Sequence, residues 1–451
     1  MDINEYAHKF QKIEQKYSFF DYKDTYGLKY WETVRFEIFE IIFYNSTKMI
    51  EGPSIKKNFL NKILKNLFEL LNFYLKISFK KYKYICFTAS RNKNNEGKNY
   101  DIISNDIFKI IKDDSLIIET FLGKKYQYTH IFNQGLHLTK IIASIKKKNK
   151  KQQINFKISQ ILQQEFKTKI NINSIIYKLI ENYKLEYRYY SELFKRLKPE
   201  AIFIVQNGIQ KGLFAAAKNL SIPCIEIQHG RIGYIHPAYS YPKFIDKNIL
   251  YTLPMYFFSF SEYWTKNLYF PVKNIIPIGN SELSKKIIKK KSLYDITFIF
   301  SVIHTTELIS LIDDLLLKKE KKICIKLHPN QFFQKTEIEN HYRNYDCVKI
   351  IGNEKSIESL LAVSKSILAI QSTCVYQAIQ NKVNVFLYKK MDYKTLTDIF
   401  HNPFVHLVDS AEDIFKNLNN LTLENIDNTI FFEDFNKKTF LNILAEISKK
   451  R

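Results

Sequence analysis

The residues best suited to chemistry stand where short apolar runs give way to polar triplets. The run at 222–227 reads as a buried strand and ends in Gln228-His229-Gly230. A histidine titrates near neutral pH, so it can take a proton from a hydroxyl. The glycine after it permits a sharp turn and leaves room for a ligand. His236 and Tyr239 follow in the same loop. The stretch also reads more plainly, as a core strand with incidental histidines in the next loop. A second run at 201–205 ends in Gln206-Asn207-Gly208. An expected helix at 213–220 joins the two runs into one β-α-β unit. Their polar ends then lie side by side at the edge where parallel sheets bind ligands.

The second half repeats the pattern three times. A strand at 295–301 ends at Ser301, with His304 just beyond; a strand at 322–327 carries Lys326 and ends in His328-Pro329. A strand at 366–370 ends in Gln371-Ser372-Thr373, directly before an expected helix. Hydroxyls and free N–H groups at such a helix start hold an anion, and a protonated His328 would add a charge-assisted bond. Ser372-Thr373 reads equally as a helix cap, and His328-Pro329 as a strand-end turn. In the first half, a strand at 83–88 leads into a loop with Arg91, Lys98, Asp101 and Asp106. Such a loop suits a phosphate or a sugar hydroxyl, or is simply solvated. Trp31 and Arg35 are four apart and share a helix face; a core Trp with an Arg stem beside it is the simpler reading.

These groups need a scaffold of alternating strands and helices. The 451 residues exceed what one core usually holds, so two domains are expected, 1–280 and 281–451. Helices are expected at 3–15, 28–44 and 60–74, and one long helical region at 155–197. Strands are also expected at 128–132, 248–251, 256–260, 275–278, 347–351 and 384–387. The formal net charge is +24. Abundant Lys, Asn and Ile are what an AT-rich genome would produce, so part of the basicity is not functional. The functional part points to an anionic surface, a membrane leaflet before a nucleic acid, since the basic runs at 146–151 and 285–291 match no nucleic-acid motif. Five cysteines, none in a C-x-x-C pair, read as reduced buried thiols. The N-terminus lacks a signal peptide's apolar region and no run is long enough to span a membrane. A cytoplasmic protein, peripheral on the inner membrane, is expected.

Ile325-Lys326-Leu327-His328-Pro329, followed some forty residues on by Gln371-Ser372-Thr373, resembles the nucleotide-binding half of GT-B glycosyltransferases. The resemblance is nearest to the branch using cytidine-activated donors: bacterial sialyltransferases, Kdo transferases and CDP-glycerol glycerophosphotransferases. Gln228-His229-Gly230 resembles the Trp-His-Gly of the last group, whose histidine is a proposed base. The resemblance covers roughly 201–390. Residues 1–200 match capsule and surface-polysaccharide proteins only loosely, through Trp31, Arg35 and the 91–106 loop. Gln228 departs from the tryptophan, and Gln377 stands where many nucleotide-sugar transferases carry a ribose-binding glutamate.

The resemblance implies an α/β GT-B enzyme with two Rossmann-like domains facing a central cleft. It would move a sugar from a CMP- or CDP-linked donor to a surface glycan or lipid-linked acceptor, in capsule or lipopolysaccharide synthesis. His229 would be the base. Lys326, His328, Pro329, Ser372 and Thr373, with Ser301 and His304, would bind the donor. Asn207, Gly208, Gln228, Gly230, His236, Tyr239, Arg91, Asp101 and Asp106 would line the acceptor side. No metal and no cofactor are expected; the partners are the nucleotide-sugar, the acceptor and the membrane surface, with no nucleic acid. Rival readings are a UDP- or GDP-sugar enzyme, a polyol-phosphate transferase, and a non-catalytic nucleic-acid-binding protein.

Overall fold

The structure is a computed structural model. It describes every residue except 25–26, 45–80, 91, 95, 120–124, 129, 133–155, 207, 209, 247–249, 302–303, 319–320, 371, 391–392, 423–429 and 450–451. The expected helix at 60–74, Arg91, Asn207, Gln371 and the 146–151 charge run lie outside the described residues. The chain divides into two units. The first comprises Glu5–Glu282 with Phe435–Arg451, the second Met1–Asn4 with Leu283–Asp434.

The first unit opens with helices α1 (Ile3–Lys16) and α2 (Trp31–Phe43). Strand β1 (Tyr84–Thr88) follows, then a small antiparallel pair, β2 (Asn92–Lys93) and β3 (Asn99–Tyr100). Helix α3 (Asn105–Ile111) leads to β4 (Ser115–Glu119) and β5 (His130–Phe132). Helices α4 (Lys157–Phe166) and α5 (Ile172–Leu197) precede β6 (Ala201–Gln206), α6 (Lys211–Asn219), β7 (Cys224–Gln228), β8 (Tyr256–Ser259) and β9 (Asn274–Pro277). The seven long strands form one parallel sheet in the order β5-β4-β1-β6-β7-β8-β9. Its central strands are buried along their whole length, as apolar runs covered by helices on both faces must be. The register sets Gln206 directly against Gln228, so the two polar strand ends are neighbours.

Three local expectations change. The region 155–197 is two helices, because Lys167 takes a left-handed φ of 50°. Thr168 Oγ1 accepts from Ile170 N–H at 3.3 Å, and Asn171 caps α5 through Ser174 N–H at 3.2 Å. Polar side chains there outbid the helix for backbone groups. Strand β4 lies at 115–119, where no strand was expected. Leu250 and Tyr251, expected in a strand, lie in irregular backbone, held by Glu32, which accepts from the Tyr251 and Thr252 N–H groups at 3.0–3.2 Å.

The second unit carries β10 (Tyr294–Ile299), α7 (Thr305–Leu316), β11 (Ile323–Lys326), α8 (Lys335–His341), β12 (Val348–Ile351), α9 (Ile357–Leu361), β13 (Ser364–Ala369), α10 (Cys374–Gln380), β14 (Asn384–Tyr388), β15 (Val405–Val408) and α11 (Ala411–Leu418). Its six strands are parallel, ordered β12-β11-β10-β13-β14-β15. Leu308, Leu311, Ile312 and Leu315 make the buried stripe of α7 and pack with Phe298, Ile325 and Leu368 of the sheet. Both sheets run outward on one side, return to the centre and run outward on the other. Each therefore has one switch point, between β1 and β6 and between β10 and β13, where the carboxyl ends open a crevice.

The last helix, α12 (Lys437–Lys449), belongs to the first unit, not to the second as 281–451 implied. Phe440, Ile443 and Ile447 bury against Phe203, Ile225 and Phe258. At about 1.5–3 kcal/mol for each buried side chain, that face is enough to bring the chain back.

Candidate active site

In the first unit, β7 carries its polar triplet to the carboxyl edge of the sheet, beside β6. Gln228 is fully buried and is consumed by structure. Its Nε2 donates to the Gly230 carbonyl at 2.7 Å, and its Oε1 accepts from Phe260 N–H at 3.0 Å. It ties the turn after β7 to the end of β8, and His229 beside it is half-buried. Gly208, at the end of β6, has φ +84°, and a Cβ there would stand 2.4 Å from Ala238 Cβ. Only glycine lets the β6 turn pass that close to the 229–241 loop.

The rings of that loop form one cluster. His236 lies flat on Phe36 of α2, with centroids 5.4 Å apart and planes at 4°, and edge-on to Tyr239 at 4.8 Å. His229 lies 6.4 Å from His236 and 6.3 Å from Tyr239. His236 Nδ1 accepts from Ala238 N–H at 3.3 Å, which leaves Nε2 as the protonated nitrogen of a neutral ring. Burial first, then the nearby His229, Arg231 and Lys211 charges, hold His236 well below the usual histidine range. It stays neutral and cannot act as an acid at neutral pH. Tyr239 Oη lies 2.6 Å from Glu226 Oε1 and 3.0 Å from the Gln206 carbonyl. One phenolic proton cannot serve both acceptors, so a protonated Glu226 completes the set. Burial pushes the Glu226 carboxyl up to about 7, against the Tyr239 hydrogen bond and the Lys211 charge.

The loop is held from behind by a buried ion pair. Arg35 Nε and Nη2 donate to the two Glu14 carboxylate oxygens at 2.8 and 2.9 Å, and Trp31 Nε1 donates to Glu14 at 2.7 Å. Arg35 Nη1 reaches the Pro237 and Ser240 carbonyls, and its guanidinium stacks on Tyr241. The shared face of Trp31 and Arg35 thus positions the His236–Tyr239 segment and does not meet solvent. Asp101 accepts from Thr88 Oγ1 at 2.8 Å, Ser104 Oγ at 2.7 Å and Ile103 N–H at 3.2 Å; burial still raises its carboxyl above the usual range. Asp106 accepts from Ser281 N–H at 2.8 Å. Asp101 is held by donors nearby in the chain, Asp106 by one far along it.

Sequence reasoning passed over Glu14, Glu226 and Lys211. Lys211 is 3% exposed at the first position of α6; burial raises the carboxyls of Glu32, Glu37 and Glu226, and the Lys211 charge works against that rise in each. A glutamate inside a run as apolar as Cys224–Gln228 was the one legible signal.

In the second unit, β11, β10 and β13 are neighbours, so Ser301, His328 and Ser372 leave one sheet edge side by side. Buried Gln331 joins two of these ends. Its Nε2 donates to Thr305 Oγ1 at 2.6 Å and the Ser301 carbonyl at 3.3 Å, and its Oε1 accepts from His328 N–H at 3.3 Å. His328 is exposed, and His304 lies 3.6 Å from Glu307. Pro329 starts a short helical turn, Pro329–Gln334. Ser372 Oγ accepts from Cys374 N–H at 3.3 Å, and the Thr373 carbonyl accepts from Tyr376 N–H at 3.1 Å. Lys326 points elsewhere, its ammonium engaged by the Gly352 and Lys355 carbonyls beyond β12. Buried Gln377 donates to Glu358 at 3.3 Å. Among the described residues, no group of three His, Cys, Asp or Glu is placed to hold a metal ion.

Two doubly wound parallel sheets, each with polar groups at the carboxyl edge beside its switch point, make this a two-unit Rossmann-like α/β protein. No protein-family profile matches the chain, and no curated protein matches it in sequence. Solved structures do resemble it. One is the UDP-GlcNAc 2-epimerase of Methanocaldococcus jannaschii in complex with UDP-GlcNAc and UDP: 14% identity, 80% of this chain and 99% of that chain covered, TM-score 0.49. Another is the Neisseria meningitidis UDP-GlcNAc 2-epimerase bound to UDP-GlcNAc: 13% identity, 82% and 100% covered, TM-score 0.46. A third is Acinetobacter baumannii MurG: 12% identity, 81% and 99% covered, TM-score 0.44.

Proposed function

We propose that the chain is a GT-B glycosyltransferase. It moves a sugar from a nucleotide-activated donor to a surface glycan or lipid-linked acceptor, with the acceptor on the first unit and the donor on the second. The observation that carries this reading is the meeting of Ser301, His328 and Ser372-Thr373 at one sheet edge, across the switch point between β10 and β13. Hydroxyls and an exposed imidazole there suit a diphosphate or phosphate. His229 takes the proton of the acceptor hydroxyl as that oxygen attacks the anomeric carbon. The bond from that carbon to the donor phosphate breaks, and the departing nucleotide carries the negative charge to His328, Ser372 and Thr373. Cytoplasmic work at the inner membrane, on capsule or lipopolysaccharide precursors, fits the chain's basicity.

A cytidine donor follows from the sequence resemblance. A UDP- or GDP-sugar donor gains support from Glu358, whose carboxylate stands beside Gln377, near where a ribose diol would be recognised. Thermal-shift measurements with CMP, CDP, UDP and GDP separate these, since a bound nucleotide raises the melting temperature by mass action. The Ser372→Ala/Thr373→Ala double variant should bind the preferred nucleotide about 1–3 kcal/mol more weakly. No shift with any nucleotide, or unchanged affinity in the folded double variant, removes the donor site from the second unit.

A further inference from the structure

We propose that the amino-terminal edge of the second unit's sheet is a docking surface for an anionic lipid bilayer. It takes the membrane partner from the reading above, but it rests on the distribution of charge and apolar exposure within this unit. All six strands are parallel, so the segments entering them meet at one edge, opposite the edge that carries Ser301, His328 and Ser372. Lys285, Lys286, Lys290 and Lys291 precede β10; Lys321 and Lys322 precede β11; Arg343 precedes β12; Lys382 precedes β14. All but the half-buried Lys321 are exposed. Lys289 turns inward to the Leu361 carbonyl at 3.0 Å and is not counted. Among the described residues of these entering segments, Asp346 is the sole acid.

A uniformly lysine-rich composition would load both edges alike. At the opposite edge, the segments leaving the strands carry exposed Lys355, Lys389 and Lys390 against Glu354 and Asp409; Lys389 pairs with Asp409 at 2.8 Å, and Glu354 pairs with Lys335. The larger cationic surplus therefore belongs to the amino-terminal edge.

The same edge exposes aliphatic side chains without need. Ile288 is 81% exposed between Lys286 and Lys290, Leu293 is 49% exposed before β10, and Leu317 is 82% exposed where α7 ends before β11. Lysines around protruding aliphatics match a leaflet, whose anionic headgroups attract the charges and whose acyl boundary takes the apolar tips. A nucleic acid would call instead for aromatic platforms among the lysines. Among the described residues no helix is long and apolar enough to cross a membrane, so the contact lies on the surface. Seated this way, the unit keeps the edge with Ser301, His328 and Ser372 clear of the bilayer.

The test is vesicle flotation of the full chain. Vesicles containing phosphatidylglycerol should carry the protein and pure phosphatidylcholine vesicles should not. Raising the salt from about 0.1 M to about 1 M, which shortens the screening length from about 10 to about 3 Å, should release it. Lys286→Glu/Lys290→Glu/Lys291→Glu should weaken partition about a hundredfold or more, given roughly fivefold for each lysine removed. Ile288→Ser/Leu317→Ser should weaken it severalfold with the lysines intact. Melting temperature and nucleotide-induced shift should not change, so failure here is distinguishable from failure of the donor site. If a variant does not fold, Lys321→Gln/Lys322→Gln supplies the same comparison. Partition unchanged in the folded variants, equal binding to phosphatidylcholine, or loss of single-stranded oligonucleotide binding with vesicle binding intact overturns the proposal.

Discussion

Glu226→Gln should stabilise the protein, and only above a defined pH. Glu226 is 1% exposed in a central strand, and its carboxyl is pushed from 4.5 up to about 7, first by burial. A group whose folded pKa lies above its unfolded pKa favours folding below the unfolded value and loses that advantage as pH rises through the folded value. Below about pH 4.5 both states carry the neutral acid, and the amide is a near-isosteric replacement. Between about 4.5 and 7 the unfolded chain ionises while the folded chain holds its proton. At about 1.4 kcal/mol for each unit of displacement, the cost to the wild type reaches about 3 kcal/mol and then levels off. Glutamine removes that cost and donates to Tyr239 Oη through its amide, as the protonated acid does, although it forgoes the attraction of Lys211, so a gain of about 2–3 kcal/mol is expected at pH 8 and almost none at pH 4.5. Urea unfolding of both proteins across that range measures it. A variant less stable than wild type at pH 8, or a pH-independent difference, would show that the Glu226 carboxyl is not raised in the fold and that Lys211 and Tyr239 outweigh burial.

Glu14→Gln or Arg35→Met alone should cost about 3–5 kcal/mol, because each leaves an uncompensated buried charge or its orphaned partners; paired in a double-mutant cycle of unfolding free energies, the two losses should be far from additive. Gly208→Ala forces a side chain into a left-handed backbone and against Ala238, so the melting temperature should drop by the equivalent of about 1–2 kcal/mol or more; an unchanged melting curve would mean the turn relaxes freely. His229→Ala should lower turnover about 10²–10⁴-fold with nucleotide affinity intact, whereas His236→Gln should leave the low-pH limb of the rate profile in place, since His236 is already neutral; steady-state rates against pH separate the two.

The alternating rhythm of apolar runs and amphipathic helices was legible in both halves of the chain. Strand and helix periods are local properties, set by which side chains can share a face. That is why the runs at 201–206, 224–228 and 323–326 could be placed with their polar ends, and why a parallel sheet followed from the helix between the first two. Where locality failed, a polar side chain competed for the backbone, from nearby or from far along the chain. Thr168 and Asn171 broke a helical pattern that held no proline or glycine, and Glu32, far away in the chain, held the backbone of Tyr251 and Thr252 out of a strand. Strands β4 and β15 were missed because one follows an acidic loop and the other is a four-residue edge strand with a half-buried pattern.

The return of α12 to the first sheet, and the chemistry of the buried groups, came only from the tertiary structure. Nothing within ten residues of Glu14 or Lys211 marks them as buried, and by composition each reads as a surface charge; for Glu226 the apolar run around it was the one local sign. Burial and charge–charge energies depend on which residues meet in space, and Glu14, Arg35 and Pro237 meet from three distant parts of the chain. The sequence determined which side chains could do chemistry and at which strand ends they stand. The packing decided which are consumed in holding the loops, as Gln228, Asp101 and Arg35 are, and which remain to act, because a polar group is committed or available only according to the partners that the fold brings within reach.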